Sequence, residues 1–223
     1  MPEYSIVRTR RKTAAIVVRG DGRVEIRGPV HLSDKAAADF YLRHRDWVLR
    51  QQEKMRKRGE TRREALASLP KRIVFRGRAR PVERGGGKAR VADGVFIIPE
   101  GGAADAREKL EKLYRGEAQK YLKARVSELA AHTGLEPKTV TVNSARTHWG
   151  ACSAKNGVTL SWRLAAADDG CIDYVIVHEL AHTAEHNHSP RFWALVSRTI
   201  PDYKLRRKRL REYQRLLEDE GWF

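Results

Sequence analysis

The sequence predicts an α+β protein in which one short, histidine-rich helix packs on a small sheet, preceded by a β-hairpin/helix module. Three observations carry that reading. Short β-branched runs cut by glycine fill much of the first hundred residues. A stripe of apolar residues at helical spacing follows from about 103 to 132. Two more strand-like runs, KTVTVN and GVTLSWR, then lead into a segment holding four of the chain's eight histidines between His178 and His188.

TAAIVVR (13–19) and RVEIR (23–27) flank Gly20-Asp21-Gly22 and read as a hairpin that Pro29 ends. Ser33 is placed to cap a helix with Phe40, Tyr41, Trp47 and Val48 on one side and a dense Arg/Lys face on the other. That helix fades into KMRKRGETRRE, whose simplest explanation is a solvated end. Residues 71–76, 79–83, 88–92 and 95–98 read as short strands, with Gly85-Gly86-Gly87 as a hairpin tip. The glycine triple is not a phosphate loop, because it lacks the Gly-Lys-Ser/Thr ending and no helix follows it. Pro99 and Gly101-Gly102 mark the expected boundary between a mixed module over 1–100 and a core over 101–223, either as two domains or as one continuous unit.

The helix expected over 103–132 carries Ala106, Leu110, Leu113, Ala118, Tyr121, Leu122 and Leu129, with Gly134 and Pro137 beyond its end. Its natural partner is the histidine-bearing helix, for which Asp168-Asp169-Gly170 supplies N-caps. Pro190 starts a helix with Phe192, Trp193, Leu195 and Val196, and Pro201 ends it. In the last helix, 203–219, Leu205, Leu210, Tyr213 and Leu217 can dock while the arginines and lysines face outward.

His178-Glu179-Leu180-Ala181-His182 is an HExxH pattern. Residues four apart on a helix sit one above the other, so two imidazoles can meet one metal ion while Glu179 reaches its edge. A third ligand must come from Glu185, His186 or His188. His186 lies eight residues from His178, about 12 Å of helical rise, too far for metal bonds of about 2 Å along a straight helix. Glu185 has a similar axial problem. His188 binds if the chain doubles back, which Asn187 tolerates and Pro190 enforces. His188 is therefore the expected third ligand, with His186 the alternative. A chance surface pattern is the rival explanation, and the apolar approach (Ile172, Tyr174 to Val177) and Phe192-Trp193 argue against it.

A net charge of +17 predicts attraction to nucleic acid, nucleotides, anionic surfaces or acidic proteins, or simply a solvated basic surface. No apolar run reaches membrane-spanning length and MPEYSIVRTRRK lacks a signal-peptide core, so a cytoplasmic protein without membrane insertion is expected. Cys152 and Cys171 form no CxxC pair and are expected reduced and partly buried.

With those pieces placed, the chain resembles the YgjP-like family of zinc metallopeptidases, related to SprT-like and WLM proteases. The resemblance runs from AAIVVRGDGRVEIRGP to FWALV and is most specific in RTHWGACSAKNGVTLSWRL, IDYVIVHELAH and NHSPRFW. It implies a zincin-like metallopeptidase domain, one zinc ion on His178, His182 and His188, and the glutamate role on Glu179. His148 and Ser161 stand where the family usually has arginine and asparagine.

Three neutral imidazoles leave the fourth zinc position to water, with Glu179 as its base, which predicts hydrolysis of a peptide or protein substrate. His148, Arg146 and Tyr174 are the candidate oxyanion or substrate contacts, and GVTLSWR the candidate edge strand for aligning a peptide. Two other readings use the same ion: a nucleoside triphosphate (phosphoanhydride) hydrolase, and a protease acting on DNA-bound proteins through the basic surface.

Overall fold

The computed structural model describes residues 4–219, except for the side chains of residues 58, 61–67 and 219. Among the described residues, six α-helices and three small sheets make an α+β architecture. It divides into two compact units, Met1–Glu64 and Ala65–Phe223.

In the first unit the expected hairpin forms: β2 (Ala15–Val18) pairs antiparallel with β3 (Val24–Pro29). A strand the sequence reading lacked, β1 (Ser5–Thr9), adds in parallel to the other side of β3. Helix α1 (Asp34–Arg43) is capped by Ser33, whose side chain accepts from the Ala36 amide. The single helix expected through Val48 breaks at His44, whose ring Nδ1 lies 2.8 Å from the Phe40 carbonyl, and α2 (Arg45–Ala67) restarts after it. Val24, Ile26, Ala37, Tyr41 and Val48 form this unit's core, but Trp47 is left 40% exposed, off the apolar side expected for it.

The second unit begins with a four-stranded sheet of order β4-β5-β7-β6, made of β4 (Arg72–Phe75), β5 (Arg78–Arg84), β6 (Arg90–Ala92) and β7 (Val95–Ile98). Gly85–Gly87 is not a hairpin tip here. It carries the chain from β5 across to β6, while β7 pairs parallel with β5 and antiparallel with β6. The hairpin turns instead at Asp93-Gly94, where both residues have positive φ.

Helix α3 (Ala103–Thr133) is about 46 Å long at 1.5 Å per residue and ends on left-handed Gly134. Its first half, Ala106, Leu110, Tyr114 and Ala118, packs with Ile73, Val82, Phe96 and Ile98 of the four-stranded sheet. Its second half, Leu122, Val126, Leu129 and Ala130, joins the core around the histidine-bearing helix. One rod thus serves two cores, and strands expected to belong to an N-terminal module over 1–100 share a core with a helix assigned to the second. Tyr114 and Val126 replace Leu113 at the centre of the buried stripe.

The third sheet has the order β8-β10-β9, with β8 (Thr139–Asn143), β9 (Gly150–Cys152) and β10 (Gly157–Ser161). β10 pairs parallel with β8 and antiparallel with β9. GVTLSWR is therefore the middle strand, with both edges already hydrogen-bonded. The outer strands are β8 and β9, and after β10 the chain turns through a 3-10 helix (Trp162–Ala166).

Helix α4 (Asp169–Ala181) follows, buried on nearly every face, which suits a helix enclosed by other elements. Its start is pinned from several directions. Asp168 accepts from the Cys171 amide, and Asp169 takes both nitrogens of Arg76 at 2.8 Å and the Tyr121 hydroxyl at 2.8 Å. Gly77 (φ +67) lies so close to Asp168 that a Cβ there would fall 2.9 Å from the Asp168 Cα, so glycine is required on both counts. Helices α5 (Pro190–Thr199) and α6 (Tyr203–Asp219) pack back against α4. On α6, Leu210 and Leu217 are buried, while Leu205, expected to dock, is 58% exposed.

Candidate metal centre

Helix α4 ends at Ala181 with His182 as its C-cap, one residue past the helix itself. The reversal expected near Asn187 begins here: the Glu185 amide donates back to the Ala181 carbonyl, and Asn187 is not among the residues with positive φ. Ser189 then caps α5, its side chain accepting from the Phe192 amide, with Pro190 in the first turn. The short return carries His188 back over the end of α4.

His178, His182 and His188 consequently converge, one ring nitrogen from each lying within 4.8 Å of the others. The Nε2 atoms of His178 and His188 are 3.2 Å apart. His182 Nδ1 lies 3.1 Å from the Glu185 carbonyl. A carbonyl can only accept, so Nδ1 carries the proton and Nε2 keeps its lone pair for a metal. His178 Nδ1 is buried without a hydrogen-bond partner among the described residues. Burial first, and then repulsion from His182, His188 and Arg207, pushes His178 down to about 4, which keeps its imidazole neutral. This donor set can hold a metal ion. His186 is exposed and outside the cluster, and Glu185 contributes its carbonyl to His182 rather than a carboxylate to the group.

Phe192 is the common floor. Its ring centroid is 4.9 Å from that of His178, 4.4 Å from His182 and 4.8 Å from His188. Trp193 stacks on His188 at 5.6 Å and on Tyr203 at 4.9 Å, tying α6 to the returning segment.

Glu179 is 6% exposed, and burial raises its carboxyl to about 7. It abuts β9: a Cβ on Gly150 would come within 2.7 Å of the Glu179 Cγ and 2.8 Å of Oε1. Glycine there lets the strand pass the carboxylate at close range. A cavity of about 300 Å³ opens beside Glu179 and His178.

Among the three candidate oxyanion contacts, Tyr174 and His148 line this cavity and Arg146 does not. Tyr174 sits one turn before His178, its ring 5.8 Å away, and its hydroxyl has no hydrogen bond among the described residues. Burial raises its pKa, so the hydroxyl remains a donor. His148 Nδ1 lies 3.1 Å from the Thr147 hydroxyl. Arg146 lines a separate recess of about 30 Å³ with His148, Trp149 and Gln214. Cys171 is buried away from the cluster, its thiol pushed up to about 12 by burial, with Sγ 3.7 Å from the Arg206 carbonyl.

Sequence reasoning missed the wall that α6 contributes. Arg207, Leu210, Arg211 and Gln214 all line the cavity. Arg207 and Arg211 had been counted with the outward cations; their spacing of four beside buried Leu210 was the available signal.

The chain matches the family described as YgjP-like, metallopeptidase domain, over residues 12–213. No curated protein matches it. Two solved structures are similar in part. The metallopeptidase zymogen of Pyrococcus abyssi abylysin shares 21% identity over 40% of this chain and 90% of its own, with a TM-score of 0.37. The metallopeptidase zymogen of Methanocaldococcus jannaschii jannalysin shares 20% over 43% and 96%, again with a TM-score of 0.37. Likeness at that level is too partial to carry a functional statement. The match over residues 12–213 is not, and it places the chain in the YgjP-like metallopeptidase family.

Proposed function

We propose that the protein is a zinc-dependent peptidase, with His178, His182 and His188 as the metal ligands and Glu179 as the general base. The observation that carries this reading is the convergence of three imidazoles beside a buried carboxyl group at the mouth of a cavity. Two zinc–nitrogen bonds of about 2.0–2.1 Å at a tetrahedral angle would hold their nitrogens about 3.3 Å apart. The 3.2 Å between His178 and His188 Nε2 suits that spacing.

When bound, the ion supplies a Lewis-acidic position that acidifies water and polarises a carbonyl. Glu179 takes the proton from the attacking water as its oxygen bonds to the scissile carbon, and returns it to the amine as the C–N bond breaks. Its raised pKa suits a group that both accepts and donates near neutrality. The Tyr174 hydroxyl donates to the carbonyl oxygen as negative charge gathers there. The outer strand β9 aligns an extended peptide by strand addition, a role β10 cannot take from the middle of the sheet.

Purified protein should contain about one zinc per chain, lost in His178→Ala and His188→Ala and kept in His186→Ala. Glu179→Gln should keep the metal and lose peptide cleavage. A Glu179→Gln chain that still turns over peptides, or loss of metal from His186→Ala but not His188→Ala, would refute the assignment.

A further inference from the structure

The cavity beside the histidines is lopsided in charge. One side comes from α4 and β9, and the other from α6, where Arg207, Arg211 and Gln214 recur at helical spacing on one face. Two other cations of this helix have carboxylates. Arg206 pairs with Asp202 at 2.8 Å and with Asp168 at 3.6 Å, and Arg209 pairs with Asp168 at 3.4 Å. Arg207 and Arg211 have no such partner among the described residues. Against them, the residues lining the cavity offer a single acid, the buried Glu179.

Like charges four apart on a helix repel, and no carboxylate among the described residues pairs with either of these two. A solvated basic face would explain the α6 cations that point into bulk water. Arg207 and Arg211 are exposed too, but both line the recess that also holds His178 and Glu179. A cavity of about 300 Å³ lies at the small end of ligand pockets, suited to a side chain or a chain end.

We infer that this wall is a carboxylate-recognising subsite: the peptide substrate sets an aspartate or glutamate side chain, or its own C-terminal carboxylate, against Arg207 and Arg211. The inference rests on the peptidase reading of the same site and adds the substrate class. Guanidinium groups suit the role because they bind carboxylates through paired N–H donors and stay charged at any working pH.

The test uses the zinc-loaded full chain and two series of quenched peptides. One series exchanges Glu for its neutral isostere Gln at each position flanking the cleaved bond. The other compares free C-terminal acids with their amides. Preference for the charged member by about tenfold in kcat/KM is expected in one series, weakening as salt is raised. The series that responds identifies the carboxylate. In Arg207→Gln and Arg211→Gln the ratio should fall toward one, and Arg211→Glu should shift preference toward a lysine peptide. Binding of labelled Glu and Gln peptides to the Glu179→Gln chain, read by fluorescence anisotropy, gives the same comparison without turnover. Equal cleavage and equal Kd for charged and neutral members would overturn the subsite while leaving the peptidase reading intact. So would a preference that survives the double Arg207→Gln, Arg211→Gln change. Hydrolysis of nucleoside triphosphates but of no peptide, abolished by Glu179→Gln, would overturn both.

Discussion

Gly150 shows how closely single atoms govern this site. Any larger residue would put its Cβ within 2.7–3.0 Å of the Glu179 side chain, which would have to shift away from β9. Gly150→Ala is expected to displace the carboxylate without touching a metal ligand. A fall of about a hundredfold in kcat/KM at unchanged zinc content is the predicted result, since misplacement of about 1 Å is that costly in positioned catalysis. Peptide assays run beside metal analysis check it, and wild-type rates in the alanine variant would mean that the fit of Gly150 to Glu179 is incidental. At this scale the sequence was informative about ligands and poor about neighbours. HExxH, a histidine beyond a break and Pro190 put His178, His182, Glu179 and His188 on the page, because metal chemistry demands those residue types at those spacings. Gly150 was one glycine among seventeen until the structure placed it against Glu179.

Among the elements, α4 is held by its first turn as much as by its packing. Arg76, at the turn between β4 and β5, makes a two-nitrogen contact with Asp169, to which the Tyr121 hydroxyl on α3 also donates. The hydrogen bond from Arg76 is the main reason the Asp169 carboxyl is held below its ordinary range, with Tyr121 adding to it. A carboxylate whose folded pKa is depressed contributes stability above its unfolded value and loses it as pH falls through the folded one. For Asp169 that window lies below about pH 4. Both partners are nearly half exposed, so solvent screening limits the pair to about 1 kcal/mol. Arg76→Ala should cost about that much at pH 7, and Asp169→Asn should flatten the acid limb of stability. Denaturant titrations of the metal-free protein from pH 7 to pH 3 measure both. An Asp169→Asn chain that loses stability with acid as steeply as wild type would show that this contact does not anchor the helix. The helix and its Asp168 cap were legible in sequence through local rules, whereas Arg76 lies 93 residues from Asp169 and no local pattern links them.

Over the whole molecule, the three histidines join two parts of the chain, the end of α4 and the return into α5, whose Phe192 ring packs against all three imidazoles. A metal held by both parts binds the folded chain far better than the unfolded one. At a free concentration a thousandfold above Kd, that linkage is worth about 4 kcal/mol. For a chain of this size it corresponds to a rise of about 10 °C in Tm. Chelation should lower the melting temperature by that order and zinc should restore it, while His188→Ala should show no response to chelator. Calorimetry with and without chelator is sufficient, and a Tm indifferent to metal in the wild-type chain would sink the idea that the cluster is a metal site. No helix among the described residues is long and apolar enough to cross a membrane.

The sequence by itself determined what depends on near neighbours: the hairpin about Gly20–Gly22, the caps at Ser33 and Asp168, the long helix ending at Gly134, and the residue types that make a metal site. Periodicity, capping and ligand spacing are short-range properties, readable within a few turns of chain. Only the tertiary structure decided that β10 is the middle strand of its sheet, which half of α3 serves which core, and that Arg207 and Arg211 line the cavity that also holds His178 and Glu179. Those outcomes follow from pairing and packing between segments far apart in the chain, where many arrangements satisfy the same local pattern and burial selects among them.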